Sequence, residues 1–559
     1  MDRWPFFLCR RVLNLRGLVS SAARSFAEWR ALTFTPLGDR LFRTLWVSAF
    51  VFNFGAVIQS LGAAWMMTTL HGSEFIVSLV QTATLAPFLL LSLPAGALAD
   101  SSDRRVIMLI AQIGGCVIAG ALAVLAYFDA VTPALLLVAT AMIGAVIAIQ
   151  QPAWHASVGD LVARENLPAA IGLNSLAFNM ARSTGPALGG LIIALSGPFL
   201  AFALNALALF GAAMVMAVNK LPQTPRAAPP EPLHAAISSG LRYVIMAPAL
   251  RSTLLRSALL GLGGGAIWAL TPVVAQQRLD AGPIGYGLLL TGFGAGSVLG
   301  ALLSSTLQIR LGAQRHLQMA IALVAVATAG LAFSTITLLS VVFMAAGGFG
   351  WNAAMTTLTS AIQFGSPKWV VGRAVALSRL ATFGALALGS ALCGLAAEAA
   401  NLAIACSGAA LFLIGSLLVP GIERVPDRSS PDLSASSRDA RSARATLTPS
   451  SGPLTILIEY QSAPGDTAAL MEAIFALGHI RRRDGATNWS VSQDIDDPSL
   501  WVERFDVATW NDYIRGLARG TVADEPLHER ARRFRVDRPV RRLLRRPPGA
   551  TPIKVDEPK

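Results

Sequence analysis

The chain has 559 residues, of which 54% are hydrophobic and only 14% charged, with a formal net charge of +13. That balance excludes an ordinary soluble globule, in which about a quarter of residues are charged. Residues 1–420 hold 23 Lys/Arg against 12 Asp/Glu, and residues 421–559 hold 22 against 20. The basic excess therefore belongs to the apolar part, where it orients loops rather than binding nucleic acid.

Residues 1–36 carry Arg3, Arg10, Arg11, Arg16, Arg24 and Arg30 among apolar residues, so the unbroken apolar core of a cleavable signal is missing. The segment reads either as an amphipathic helix on the anionic inner leaflet or as a disordered basic leader. Apolar runs then follow near 42–70, 75–99, 105–127, 131–153, 167–195 and 198–219, and again near 251–277, 285–308, 315–335, 337–363, 370–397 and 401–420. Each is about the length a helix needs to cross a bilayer. The expectation is twelve spans in two sets of six, over residues 37–219 and 251–420, joined by a Pro-containing linker over 220–250.

Lys and Arg accumulate on the cytoplasmic side of membrane proteins. Arg104 and Arg105, Arg164, Lys220 with Arg226 and Arg242, Arg310 with Arg315, and Lys368 with Arg373 all fall in alternate loops, whereas the other loops hold only Arg278. Both termini are thus expected in the cytoplasm, which requires an even number of crossings. A shift of 200 residues superposes Ala153 on Ala353, Gly172 on Gly372, Leu188 on Leu388 and Gly189 on Gly389, an echo between the halves.

After Pro420 the composition becomes Ser-, Arg-, Asp- and Pro-rich, and 421–452 reads as a solvated linker. Residues 453–546 then read as a small soluble domain: a strand at 454–460, a helix at 466–481, a hairpin of 487–495 and 500–507, a helix at 509–519 and a strand at 534–540. This β-α-β-β-α-β order predicts a ferredoxin-like α+β fold. Residues 547–559 form a terminal tail. Cys9, Cys116, Cys393 and Cys406 lack paired spacing, so neither a disulfide nor a metal site is expected, and no cofactor is implied.

Two motifs stand out. GALADSSDRR, Gly96 to Arg105, is a charged turn between the second and third spans. Gly96 permits close helix approach, and Asp100 sits where it can accept from a helix N-terminus or an arginine. The turn is either a gate element or a solvated topological marker. STGPALGG, Ser183 to Gly190, places Gly185, Pro186, Gly189 and Gly190 in the fifth span, where they strip bulk from one face and allow a bend. Arg182 precedes it deep in the span, and an intramembrane arginine is a functional-site candidate by default. No Asp, Glu or Lys falls near the middle of any span. Asn53, Gln59, Gln150, Gln151, Asn179, Trp268, Trp351 and Asn352 could line a central cavity, a set that suits a neutral or aromatic solute. Each could equally be an interhelical hydrogen bond.

Taken together, the span count, the linker and the matched Gly96, Leu98, Asp100, Arg104 and Arg105 resemble the major facilitator superfamily, with Ser101 and Asp103 departing from its pattern. The resemblance implies that Asp100 latches against the start of the eleventh span, near Gly372 and Arg373, in the outward-facing state, and that Arg104 helps to release it. STGPALGG resembles the fifth-helix motif of that superfamily's antiporters. RTLWVSAFVFNFGAVIQ (43–59), QQPAWHASVGDLV (150–162) and the fused C-terminal module are similar to the bacterial branch that includes the enterobactin exporter. That implies an inner-membrane exporter of a siderophore, drug or secondary metabolite, proton-coupled, working in the lipid bilayer. The tail resembles antibiotic-biosynthesis-monooxygenase domains, with His479, Trp489, Trp501 and His528 as pocket candidates. A docking, regulatory or homodimerising role is the main expectation for it, and a membrane-tethered cofactor-free monooxygenase the alternative.

Overall fold

The computed structural model describes residues 34–534, apart from 71–72, 222–232, 420–423, 428–429, 435–447, 449 and 464, together with 542–545. The basic leader before residue 34, most of the 421–452 linker and the 547–559 tail lie outside the described residues.

Six helices form the first half: α1 (Arg40–Thr69), α2 (Glu74–Ser101), α3 (Arg104–Tyr127), α4 (Pro133–Leu161), α5 (Leu167–Ser196) and α6 (Pro198–Val218). A seventh, α7 (Leu233–Met246), lies in the linker. The second half comprises α8 (Pro248–Val273), α9 (Gly282–Leu311), α10 (Ala313–Phe333), α11 (Thr337–Phe364), α12 (Val371–Ala399) and α13 (Leu402–Ser416). Among the described residues, ten helices are long and apolar enough to cross a membrane. α5, with Arg182 inside it, and the 15-residue α13 fall on the remaining two expected spans.

Local chemistry sets the boundaries. Asp39 caps α1 by accepting from the Phe42 amide at 2.7 Å, and Thr132 caps α4 by accepting from Leu135 at 3.3 Å. Prolines open α4, α5, α6 and α8, where their missing N–H is harmless. Gly197 and Gly312, at φ +79 and +78, reverse the chain between α5 and α6 and between α9 and α10.

Each half packs mainly on itself, and the 200-residue echo has a structural counterpart. A Cβ on Gly189 of α5 would meet Ile58 and Leu61 of α1, and one on Gly389 of α12 would meet the backbone of Leu262 in α8. In both halves the fifth helix thus packs on the first through an equivalent glycine.

The halves meet along two helix pairs, α2 with α12 and α5 with α9. Thr82 donates to the Ala387 carbonyl at 2.8 Å, and Phe88 packs edge-on against Phe383 at 6.4 Å. At the end remote from the basic turns, Ser73 donates to Glu398 at 2.7 Å, Gln277 donates to Glu74 at 3.0 Å, and Trp65 stacks on Tyr286 at 6.2 Å. Near the basic ends, Gly96, Gly172 and Gly372 stand in open space. Among the described residues, the side-chain contacts between the halves run from the far end to the middle of α2 and α12.

The tail is a four-stranded antiparallel sheet of order β2-β3-β1-β4 built from β1 (Leu454–Gln461), β2 (Thr487–Gln493), β3 (Leu500–Val507) and β4 (Arg542–Arg545). α14 (Thr467–Asp484) connects β1 to β2; α15 (Trp510–Ala518) and α16 (Glu525–Arg532) follow β3. Leu454, Ile456 and Ile458 pack on Leu470, Ile474 and Leu477. The last strand departs from expectation. It is Arg542–Arg545, where Leu543 and Leu544 pair with Ile456 and Thr455; residues 535–540 of the expected strand lie outside the described residues, and Phe534 ends a turn and packs into the tail core.

Candidate functional site

The charged turn is built differently from a free loop. α2 runs through Ser101, and Asp103 then caps α3 by accepting from the Arg105 amide at 2.9 Å. That gives the departure at Asp103 a physical reason: a carboxylate at a helix start satisfies an orphan donor. Arg104 donates to Asp160 at 2.5 Å and to the Ala156 carbonyl at 3.1 Å, both at the end of α4. Arg105 donates to the Met216 and Ala217 carbonyls at 2.8 and 2.5 Å, at the end of α6. The arginine pair therefore ties three helix ends of the first half together, each cation meeting the negative end of a helix. Asp160 was not singled out from the sequence. Its signal was an acid closing the fourth span on the same side as Arg104.

Arg373, at the start of α12, donates to Ser239 of α7 at 2.9 Å. A Cβ on Gly240 would sit 3.0 Å from the Arg373 Cβ, so the glycine is what lets the linker helix lie against that arginine. Gly372 beside it is in open space. Of the two eleventh-span residues expected near Asp100, Arg373 is thus engaged by the linker helix.

The helix-5 motif forms the seam itself. A Cβ on Gly190 would meet the Pro283 carbonyl oxygen at 2.6 Å and Gly287 of α9, and one on Gly287 would meet the Pro186 carbonyl. Gly185 faces Val57, and Gly189 faces Ile58 and Leu61, of α1. One turn deeper, Gly294 of α9 abuts the backbone of Arg182 and Ser183. Small residues here allow backbone-to-backbone packing between the halves.

Arg182 sits where this seam ends. Its guanidinium carbon lies 5.4 Å from the Phe178 ring centroid, one turn back on α5, and 5.2 Å from the Trp268 ring of α8. The second contact crosses between the halves. Trp268 in turn meets Phe293 at 4.8 Å and Trp351 at 6.3 Å, both edge-on. On α1, Trp46, Phe50 and Phe54 follow one another at four-residue spacing in tilted ring contacts at 5.7 and 4.9 Å.

The amide candidates divide. Gln59 is buried and accepts from Asn205 of α6 at 3.2 Å, so it belongs to the interior of the first half rather than to a cavity between halves. Gln150 is buried too, with its carbonyl oxygen unpaired. Asn53 and Asn179 donate back to their own helices, to Ala49 and Ser175, both at 2.8 Å. Asn352 accepts from Thr356 at 3.3 Å, Gln151 is half-buried, and Trp351 is packed against Gly264. Trp268 is the candidate that meets Arg182 directly.

In the tail, Glu503 is fully buried and accepts from Tyr460 at 2.9 Å and from the Trp489 indole at 3.0 Å. Trp489 is therefore fixed as a structural group. His479 is exposed on α14, whereas His528 is buried on α16. The tail also docks on the membrane part. Arg483 lies over Tyr243 of α7 at 5.2 Å, and Arg519 lies over Trp369, in the turn before α12, at 4.3 Å. Tyr243 and Trp369 meet edge-on at 5.3 Å. Burial pushes the Tyr243 hydroxyl above its ordinary range. Arg483 is held up, against the effect of burial, by Asp484 and Asp524; Asp524, though buried, is held below the usual carboxylate range by Arg483 and Thr521.

The family model described as transmembrane secretion effector, of the major facilitator class, matches residues 31–545, running through the helical part and the tail alike. The staphyloferrin A transporter of Staphylococcus aureus is 24% identical over 315 residues, 55% of this chain and 78% of that protein. The multidrug efflux pump Tap of Mycolicibacterium fortuitum is 28% identical, over 60% of this chain and 84% of its own. The enterobactin exporter of Escherichia coli is 27% identical over 68% and 91%. Among solved structures, a bacterial homologue of the human lysosomal transporter Spinster, inward-facing and unoccupied, superposes with a TM-score of 0.51 at 16% identity, covering 68% of this chain and 92% of that one.

Proposed function

The chain belongs to the major facilitator family of transmembrane secretion effectors, and from that premise we propose that it exports a small organic molecule from a bacterial cytoplasm by alternating access. The family and the relatives above are transporters, not enzymes. The substrate class is a siderophore, drug or secondary metabolite, and the driving reaction is proton antiport.

The observation that supports this reading best is the one-sided distribution of side-chain contacts between the two halves. Side-chain bonds at Ser73–Glu398 and Gln277–Glu74 join the halves at the far end, and Gly96, Gly172 and Gly372 stand open at the basic end. With the basic side in the cytoplasm, as loop charge favours, this is an inward-facing state of a twelve-span transporter with both termini inside. α5 and α9 pivot on the Gly190–Gly287 contact, and the substrate path ends at Arg182 and Trp268. In the outward-facing state Asp100 would then meet the Gly372–Arg373 end of α12, displacing α7.

The tail is proposed to be a ferredoxin-like docking domain that restrains this movement. It grips α7 and the turn before α12 through Arg483 and Arg519, and α7 in turn holds Arg373. Its free β2 edge would be the surface of any self-association, which crosslinking in the membrane tests.

Everted vesicles carrying the full chain test the transport reading directly. Accumulation of siderophore or dye substrates that collapses with the proton gradient supports it. Equal accumulation in vesicles lacking the protein overturns it.

A further inference from the structure

We propose that Arg182 is an anion subsite in the substrate path, taking a carboxylate or phenolate oxygen of an aromatic organic acid. This rests on the export reading above and narrows its substrate class.

Arg182 is half-buried, and it lies in a membrane span where an unneutralised charge is costly. Among the described residues no carboxylate lies within ion-pair distance of it, and its recorded neighbours are two ring faces, Phe178 at 5.4 Å and Trp268 at 5.2 Å. Ring faces stabilise a cation's charge, but they offer no lone pair to its five N–H groups. The neighbouring Trp268 indole N–H is buried and has no acceptor either. The site is thus rich in donors and poor in acceptors.

Arg104 and Arg105, in the same helical region, are built in the opposite way. Arg104 is answered by Asp160 and a carbonyl, and Arg105 by two carbonyls. Arg182 differs also in position, since its contact to Trp268 crosses between the halves at the point where the seam gives way to the open side. A group held there changes surroundings whenever the halves rock, as alternating access requires of a substrate site.

An organic oxyanion supplies the missing acceptors, and its bidentate geometry matches a guanidinium. The surrounding Phe178, Trp268, Phe293 and Trp351 favour an aromatic body attached to it. A phosphate, with two charges and three solvated oxygens, would meet a single cation among aromatic rings and lose too much hydration. The solute is therefore acidic as well as aromatic, rather than neutral as the amides alone suggested.

The test uses the full chain in nanodiscs with benzoate, salicylate, the neutral benzamide and the cationic benzylamine, read by shift of the thermal unfolding midpoint. Benzoate and salicylate should stabilise the wild type, with benzamide and benzylamine at least about tenfold weaker in half-saturating concentration. Arg182→Gln should lose that preference, and Arg182→Lys, which keeps the charge but not the bidentate fork, should still prefer benzoate to benzamide while binding it more weakly than the wild type. Equal responses to benzoate and benzamide in the wild type, or an unchanged preference in Arg182→Gln, would overturn the proposal. If Arg182→Gln does not fold, the wild-type probe preference and the Arg182→Lys response decide. Selective binding of salicylate without its accumulation in everted vesicles would leave the subsite standing and sink the export reading.

Discussion

Arg182 in the membrane region and Arg483 in the tail are both half-buried, yet their surroundings are opposites. Arg483 donates to Asp524 through two nitrogens at 2.8 and 3.2 Å, donates to Asp484 at 3.0 Å, and lies over Tyr243. Arg182 has two rings and no recorded carboxylate among the described residues. A cation whose donors are all answered from within the fold is a structural joint. One with no acceptor from the protein is free to take an oxyanion as its partner, as proposed for Arg182.

The contrast breaks most sharply if Arg483 can lose a partner without cost. Asp524→Ala removes both the bidentate acceptor and the cap on Thr521. Removing one side of a buried ion pair costs about 3–5 kcal/mol, so hydrogen exchange of β1 and β3 in the full chain should rise steeply. Exchange unchanged from wild type would mean that Arg483 is not a joint. Conversely, Trp268→Glu gives Arg182 the carboxylate it lacks. We expect the protein to fold, and export of an acidic aromatic substrate in everted vesicles to fall about a hundredfold, or about 2.7 kcal/mol. Retention of full export would show that Arg182 never meets the substrate.

A smaller effect separates the tail's own stability from its docking. Trp369→Ala removes the ring under Arg519 and the edge contact with Tyr243, worth about 1–2 kcal/mol together. Exchange should rise in α7 and the start of α12 while the β1–β3 ladder stays protected. A tail that unfolds with this variant would contradict an independent domain.

How much of this was legible in the sequence follows from the reach of each interaction. A membrane helix is a single apolar run, so the expected spans match the helices to within a few residues except at α4, which runs on to Leu161, and at α13, which stops at Ser416. α7 went unread because prolines surround it, and α16 because Glu525–Arg532 is short and highly charged. FRVDRPV reads as the last strand because it alternates more clearly than RLLR, the strand that pairs with β1; residues 535–540 lie outside the described residues. Arg182 was legible as a cost, a charge in an apolar run. Its meeting with Trp268, 86 positions away, depends on how the halves pack, as does the Gln59–Asn205 bond that takes Gln59 out of the cavity set.

The finest test uses pH, because the two carboxylates around Arg483 are perturbed in opposite directions. Asp484 is raised by burial, partly offset by Arg483, so its contribution to stability grows as the pH falls through its raised value. Asp524 is held below the ordinary range despite its burial, so its contribution is present at neutral pH and lost as the pH falls through its depressed value. Protection of β1 and β3 should therefore rise as the pH falls toward the ordinary carboxylate value of about 4 and decline below it. Asp484→Asn should abolish the rise and leave the decline, and Asp524→Asn should do the reverse. Protection that falls steadily from pH 7 downward, in all three proteins alike, would show that Arg483 is held by something other than these two partners, and the distinction between it and Arg182 would narrow to burial alone.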